Sequence, residues 1–389
     1  MPVPFKIERY FAEHEFSAPY LLSASDCESV SVRELLSHAD PDGLQRWESL
    51  SLGYTESSGH PALREEIARL YAGVAPAETL VVSPIEGIFI AMHALLQPGD
   101  HVVAMFPAYQ ALYEVARSIG CEVSLWELSL RDGRWHADLD RLRALVTPRT
   151  RMLVVNVPHN PTGYLPDRAT FDAIVSLARE HNLILFCDEM YRWLELDEAT
   201  RLPSAVEVYE RAMVLCGLSK TFGLPGLRMG WLVAHHAEAL ARCQSFKDYV
   251  SICHSAPSEA LAIIALRARE ALAARNLDIV RHNAALAAEV FGARAAQFEW
   301  LAPQAGSVAF PRWLGEGSVE ALAEAALKDA GVMIVPGSMF DMPGQHFRVG
   351  LGRRNFGEAL EKLGEFLDQS DASDVTPSGH SAYAAQGKL

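Results

Sequence analysis

Short apolar runs recur along the chain, and each stops at a polar or turn-forming residue. Met152–Val157, Leu183–Cys187 and Ala212–Cys216 read as buried strands. The first ends in the turn cluster Pro158-His159-Asn160-Pro161-Thr162-Gly163. The second delivers Asp188 at its C-terminal end, followed by Glu189 and Tyr191. The third breaks into the glycine- and proline-containing stretch Gly217–Gly226. Arg228–Ala234 then resumes as a strand-like run. Further on, Val332–Pro336 runs into Gly337-Ser338, and Phe347–Leu351 forms another strand. Helical signals lie between them. Ser83-Pro84 is a good N-cap and first helical residue, and Leu261–Leu286 carries Ala, Arg and Leu at helical spacing.

This alternation places three polar residues just past strand ends. Asn160 and Asp188 are 28 residues apart, and Asp188 and Lys220 are 32 apart, each close to the roughly 30 residues of a strand–helix–strand unit. Ligands of open α/β sheets bind outside the carboxyl ends of the strands, so the three residues point at one site. Arg228 returns to the same neighbourhood. An arginine beside a lysine in a partly desolvated site lowers the lysine pKa, which suits Schiff-base chemistry on a carbonyl.

Composition narrows the rest. The 389 residues are 50% hydrophobic, ample for two domains around substantial cores. A net charge of −15 without a basic block argues against nucleic acid or an anionic membrane as partner. The six cysteines show no C-x-x-C or metal-ligand spacing, and Cys187 and Cys216 fall inside apolar strands. That usage, with no leader-like N-terminus and no membrane-length apolar run, predicts a cytoplasmic protein that holds no metal. His235-His236 are expected to cap a strand end.

The chemistry that needs a lysine, an aspartate and an asparagine at one site is pyridoxal phosphate catalysis. Lys220 would carry the cofactor as an imine, and Asp188 would pair with its ring nitrogen. Asn160 would hydrogen-bond the ring's phenolic oxygen, with Tyr191 as a second donor. Four motifs then carry a resemblance: Asn160-Pro161-x-Gly163, Asp188-x-x-Tyr191, Ser219-Lys220 and Arg228-x-Gly230, in that order and spacing. In them, from about Tyr54 to Arg348, the chain resembles the class I/II aminotransferases, fold-type I enzymes that use pyridoxal phosphate.

The resemblance implies an α/β fold: a large α/β/α domain on a mostly parallel sheet, plus a smaller α/β lobe. Residues 1–49 would form an N-terminal arm packing with the small lobe, 50–272 the cofactor domain and 273–369 the small domain. Residues 370–389, rich in Ser, Asp, Ala and Gly, are expected to be disordered. It also implies that Tyr109 stacks on the cofactor ring and that Arg348 clamps a substrate carboxylate. Tyr54 would reach the phosphate of the neighbouring subunit in a homodimer with shared active sites. The phosphate cup departs from the family pattern: Pro84 has no N–H, Ile85 no hydroxyl, and Gly217 stands where serine or threonine is usual. The phosphate would then depend on Ser219, Arg228, Tyr54 and the backbone N–H groups of Ile85 and Glu86.

The implied activity is amino-group transfer between an L-amino acid and a 2-oxo acid. The arm suggests an alternative. Where relatives carry a glycine-rich segment, this chain offers Glu8, Asp26 and Glu28, which suit a cationic side chain such as a guanidinium. The arm also resembles the branch that includes capreomycidine synthase, whose members cyclise or oxidise arginine derivatives.

Overall fold

Seven strands build the central sheet of the computed structural model, which describes residues 2–374, with side chains through residue 369. They are β1 (Thr79–Val82), β2 (His101–Phe106), β3 (Glu122–Glu127), β4 (Thr150–Asn156), β5 (Ile184–Asp188), β6 (Ala212–Gly217) and β7 (Gly230–Val233). Their order across the sheet is β1-β7-β6-β5-β4-β2-β3, and only β7 runs antiparallel to its neighbours. Successive residues face opposite layers. Val103, Met105, Leu153 and Val155 enter one core, while Val102, Ala104, Met152 and Val154 enter the other. Burial on both faces is why these strands appear as unbroken apolar runs.

Helix α1 (Lys6–His14) lies in the arm, and α2 (Pro84–Leu95) follows β1. Ser83 is the N-cap of α2 and Pro84 its first residue, as expected. The helical stretch predicted over Leu261–Leu286 is two helices, α3 (Ala256–Arg267) and α4 (Arg269–Ala293), which meet at Ala268. His236 caps not a strand but the helix Ala237–Lys247, accepting from the Ala239 N–H at 3.0 Å. His235 instead contacts Glu78 at 2.8 Å.

Beyond α4, a three-stranded sheet of Val308–Ala309, Phe347–Gly350 and Val335–Pro336 packs with α5 (Val319–Ala330) and α6 (Phe356–Asp374) around a third core. Helix α6 continues past residue 370 to Asp374; the rest of the expected tail, residues 375–389, lies outside the described residues. The arm is bound to this lobe. Tyr20–Leu21 pairs in parallel with Val332–Met333, and the Gly350 N–H donates to Leu22 O at 2.8 Å. Among the described residues no helix is long and apolar enough to cross a membrane.

Candidate active site

The sheet register sets the floor of the site. Asn156 stands beside Asp188, and Asp188 beside Leu215, at adjoining strand ends. Asn156 Nδ2 donates to Asp188 O at 3.0 Å, and its Oδ1 accepts from the Asn160 N–H at 2.7 Å. This polar end of β4 therefore fixes the turn that presents Asn160. Asp188 is buried, accepts from the Met190 N–H at 3.1 Å, and burial pushes its pKa up to about 7. Lys220 lies three residues beyond β6, and its Nζ donates to Ser25 Oγ at 2.7 Å. Burial, with Arg348 acting in the same direction, holds its pKa below the ordinary lysine value. The arginine that assists is thus Arg348, not Arg228. Arg228 is exposed, has a left-handed backbone (φ 53°), and donates to Pro225 O at 3.0 Å.

Asn160, Asp188, Tyr191, Ser219, Lys220, Arg228, Tyr109 and Arg348 all line one cavity of about 640 Å³. Arg348 is 1% exposed and held between the Phe11 and Phe340 rings. It donates to Ser23 O at 3.0 Å and to Asn160 Oδ1 at 3.3 Å, while its Nε is unpaired. Since Asn160 accepts through its oxygen, its amide NH₂ is left to donate. Tyr191 Oη is buried without a well-aligned partner, although Ser25 is near enough to influence it. Ser219 Oγ is also buried and unpaired.

Beside Ser219 the N-terminus of α2 meets the cavity through Pro84 and Ile85. The Glu86 side chain turns back on its own helix, accepting from the Ser83 N–H at 3.1 Å, and Glu86 itself does not line the cavity. The glycine at 217 has a local cause. A Cβ there would stand 2.9 Å from Gly230 Cα and 3.3 Å from Pro84 Cγ. The Met229–Gly230 backbone, with the Pro84 ring beyond it, thus occupies the space that a side chain at 217 would need.

The arm closes the opposite side. Glu8 and Asp26 line the cavity as expected, but both already have partners. Glu8 accepts from Tyr109 Oη at 2.7 Å, and Asp26 accepts from Arg353 at 2.8 Å and 2.9 Å. Arg353 thereby ties the small lobe to the arm. Glu28 lies away from the site, accepting from the Arg354 N–H at 3.1 Å. Glu15 also lines the cavity; unlike Asp26 it makes no ion pair with a described residue, and its pKa is raised by burial and then by Asp26 and Glu8. Tyr54 is 93% exposed and outside the cavity of its own chain. Sequence reading missed Asn156, Glu15 and Ser25. Asn156 carried a signal, a polar residue inside an apolar run; Glu15 and Ser25 carried none, since the arm reaches the site only by folding back.

These groups fit pyridoxal phosphate. A buried acid suits a protonated ring nitrogen, unpaired Tyr191 and Ser219 hydroxyls suit its oxygens, and a helix N-terminus favours an anion. The comparisons agree with the chemistry. The sequence profile described as aminotransferase class I and II matches residues 39–363. Capreomycidine synthase of Streptomyces vinaceus is 32% identical over 352 residues, 89% of this chain and 88% of its own. The crystal structure of a PLP-dependent aminotransferase from Streptococcus suis superposes with a TM-score of 0.88 at 30% identity, covering 94% of this chain and 98% of that one. The PLP-dependent cyclase OrfR superposes with a TM-score of 0.86 at 28% identity, covering 95% and 98%. The fold is that of the fold-type I enzymes that use pyridoxal phosphate. The chain belongs to the class I and II aminotransferase family, and pyridoxal phosphate is its cofactor.

Proposed function

We propose that this chain transfers the amino group of an L-amino acid to a 2-oxo acid, with Lys220 as the residue that binds the cofactor and moves the proton. The observation that carries this reading is the convergence on one cavity of Lys220 Nζ, the buried Asp188 and the buried Arg348. Bound pyridoxal phosphate supplies an electron sink for the carbanion left by α-proton loss. Asp188 holds the proton of the ring nitrogen, and Asn160 and Tyr191 donate to the phenolic oxygen. Tyr109 stacks on the ring. Ser219, Arg228 and the N–H groups of Ile85 and Glu86 hold the phosphate, with Tyr54 of the partner subunit in a homodimer. Arg348 binds the substrate α-carboxylate through its remaining donors. The Lys220 amine would remove the α-proton of the bound amino acid and return it. Its lowered pKa favours the neutral amine that this step requires.

A second reading has its own support. The arm brings Glu8, Glu15 and Asp26 to the cavity, a setting for a cationic side chain, and capreomycidine synthase is similar along most of the chain. In this reading the substrate is arginine or a hydroxyarginine-like guanidino amino acid, and the outcome is cyclisation, elimination or oxidation. One experiment separates the two. Holo-protein is given ¹⁵N-labelled L-amino acids, arginine among them, with a 2-oxo acid, and the products are read by mass spectrometry. Label appearing in the new amino acid supports transamination. Consumption of an arginine-type substrate without transfer of the label overturns it in favour of the second reading.

A further inference from the structure

We propose that Ser25 is a further catalytic residue, which receives the Lys220 amine and stabilises it while it carries the substrate's α-proton. The proposal rests on the reading of Lys220 given above. Ser25 Oγ accepts from Nζ at 2.7 Å, so it touches the reacting atom itself.

The placement of Ser25 is built, not incidental. Its own carbonyl accepts from Ser307 Oγ at 2.7 Å. On one side the Gly350 N–H donates to Leu22 O at 2.8 Å, and on the other the Glu28 N–H donates to Gly352 O at 2.7 Å. Both glycines lie against the arm backbone. A Cβ at Gly350 would stand 1.7 Å from Ala24 O, and one at Gly352 2.4 Å from Asp26 O. Two positions before Ser25, Ser23 O accepts from Arg348 at 3.0 Å. One short stretch of arm therefore holds both the proposed carboxylate clamp, through the Ser23 carbonyl, and the lysine amine, through the Ser25 hydroxyl.

The proton balance is simple. The α-proton moves from substrate carbon to Nζ, and the resulting ammonium has an N–H to give to Ser25 Oγ. Ser25 gains no net proton; it favours the charged form of the amine by a hydrogen bond. The charged groups facing that amine are Asp188, Asp26, Glu8 and Glu15 as acids and Arg348 as the cation, with the Cys27 thiol nearby. None of them accepts a hydrogen bond from Nζ in the structure, as Ser25 does.

The test compares wild type with Ser25→Ala and Ser25→Thr in two measurements. In cofactor-free protein, competitive acetylation of Lys220, read by mass spectrometry across pH, reports the amine's own titration. Loss of one hydrogen bond to the charged form should move it down by about one pH unit in Ser25→Ala, and Thr should restore it. In holo-protein, exchange of the α-proton of alanine or arginine in D₂O should slow by about ten- to a hundredfold in Ser25→Ala, with KM little changed and Thr again restoring it. A Ser25→Ala variant that titrates and exchanges like wild type overturns the proposal. So does a loss of exchange that only mirrors lost cofactor or raised KM. If wild type itself exchanges no α-proton with any amino acid, the reading of Lys220 fails, and the acetylation titration still judges the Ser25 contact.

Discussion

Burying Asp188 beneath the cavity raises its pKa to about 7, so cofactor-free protein carries a carboxylate that resists ionisation. A raised carboxylate pKa means that the folded state holds the proton more tightly than the unfolded one. The associated stability is full below about pH 4 and is lost as pH rises through about 7. A cationic ring nitrogen beside Asp188 reverses that penalty. The Tm difference between holo- and cofactor-free protein should therefore widen from pH 5 to pH 8, and stay flat in Asp188→Asn. Glu259 is also raised to about 7 by burial, but it does not line the cavity and drops out of the difference. Glu15 gives the cleanest test of a cationic substrate, since Glu8 and Asp26 have partners to lose. Glu15→Gln should raise KM for arginine about tenfold and leave alanine unchanged. Its raised pKa means that KM for arginine should climb on acidification sooner than an ordinary carboxylate would cause. Asp188, Asn160 and Lys220 were legible as residues because each follows an apolar run. The Asp26–Arg353 and Glu8–Tyr109 contacts were not, because their members are far apart in sequence and meet only through the folded arm.

Strand ends and one helix start do most of the positioning. The register that sets Asn156 beside Asp188 joins parallel strands covered on both faces; sequence spacing alone found Asp188 and the turn at Asn160 at these strand ends, but not Asn156. The phosphate cup was harder to read, because the Pro84 ring packs over Gly217 and Gly230, on strands separate from its own helix. Gly217→Ser should overpack against the Met229–Gly230 backbone and the Pro84 ring. It should cost about 1–3 kcal/mol of stability by thermal or denaturant unfolding and weaken cofactor binding in equilibrium dialysis. Gly350→Ala should force the arm away from the sheet, because the contact atom is backbone. Faster proteolysis of residues 1–30, with residues 50–270 still protected, is the expected signature. The break between α3 and α4 at Ala268 escaped the sequence because Ala and Arg continue the helical pattern through it.

At the scale of the whole molecule, Leu52, Tyr54 and Tyr249 are 83%, 93% and 93% exposed, large apolar side chains that the proposed homodimer would cover. Light scattering should then report twice the chain mass. Shared sites allow a sharper check. In a mixed dimer of Lys220→Ala and Tyr54→Ala chains, one site has both defects and the other has neither. Mixing after mild dissociation should therefore restore activity absent or reduced in each parent, whereas self-contained sites would show only an average. The two-lobed α/β fold was legible from the alternation of strands and helices and from the family motifs, and the resemblance implied an arm packing with the small lobe; the backbone close approach at Gly350 and Gly352 by which the arm docks was not legible. The central claim is that Lys220 is the residue that binds the cofactor. Reduction of the holo-protein with borohydride, followed by peptide mass mapping, tests it directly. The account predicts a reduced pyridoxyl phosphate adduct on Lys220 alone, absent in Lys220→Ala; an adduct on another lysine, or none on the holo-protein, would contradict it.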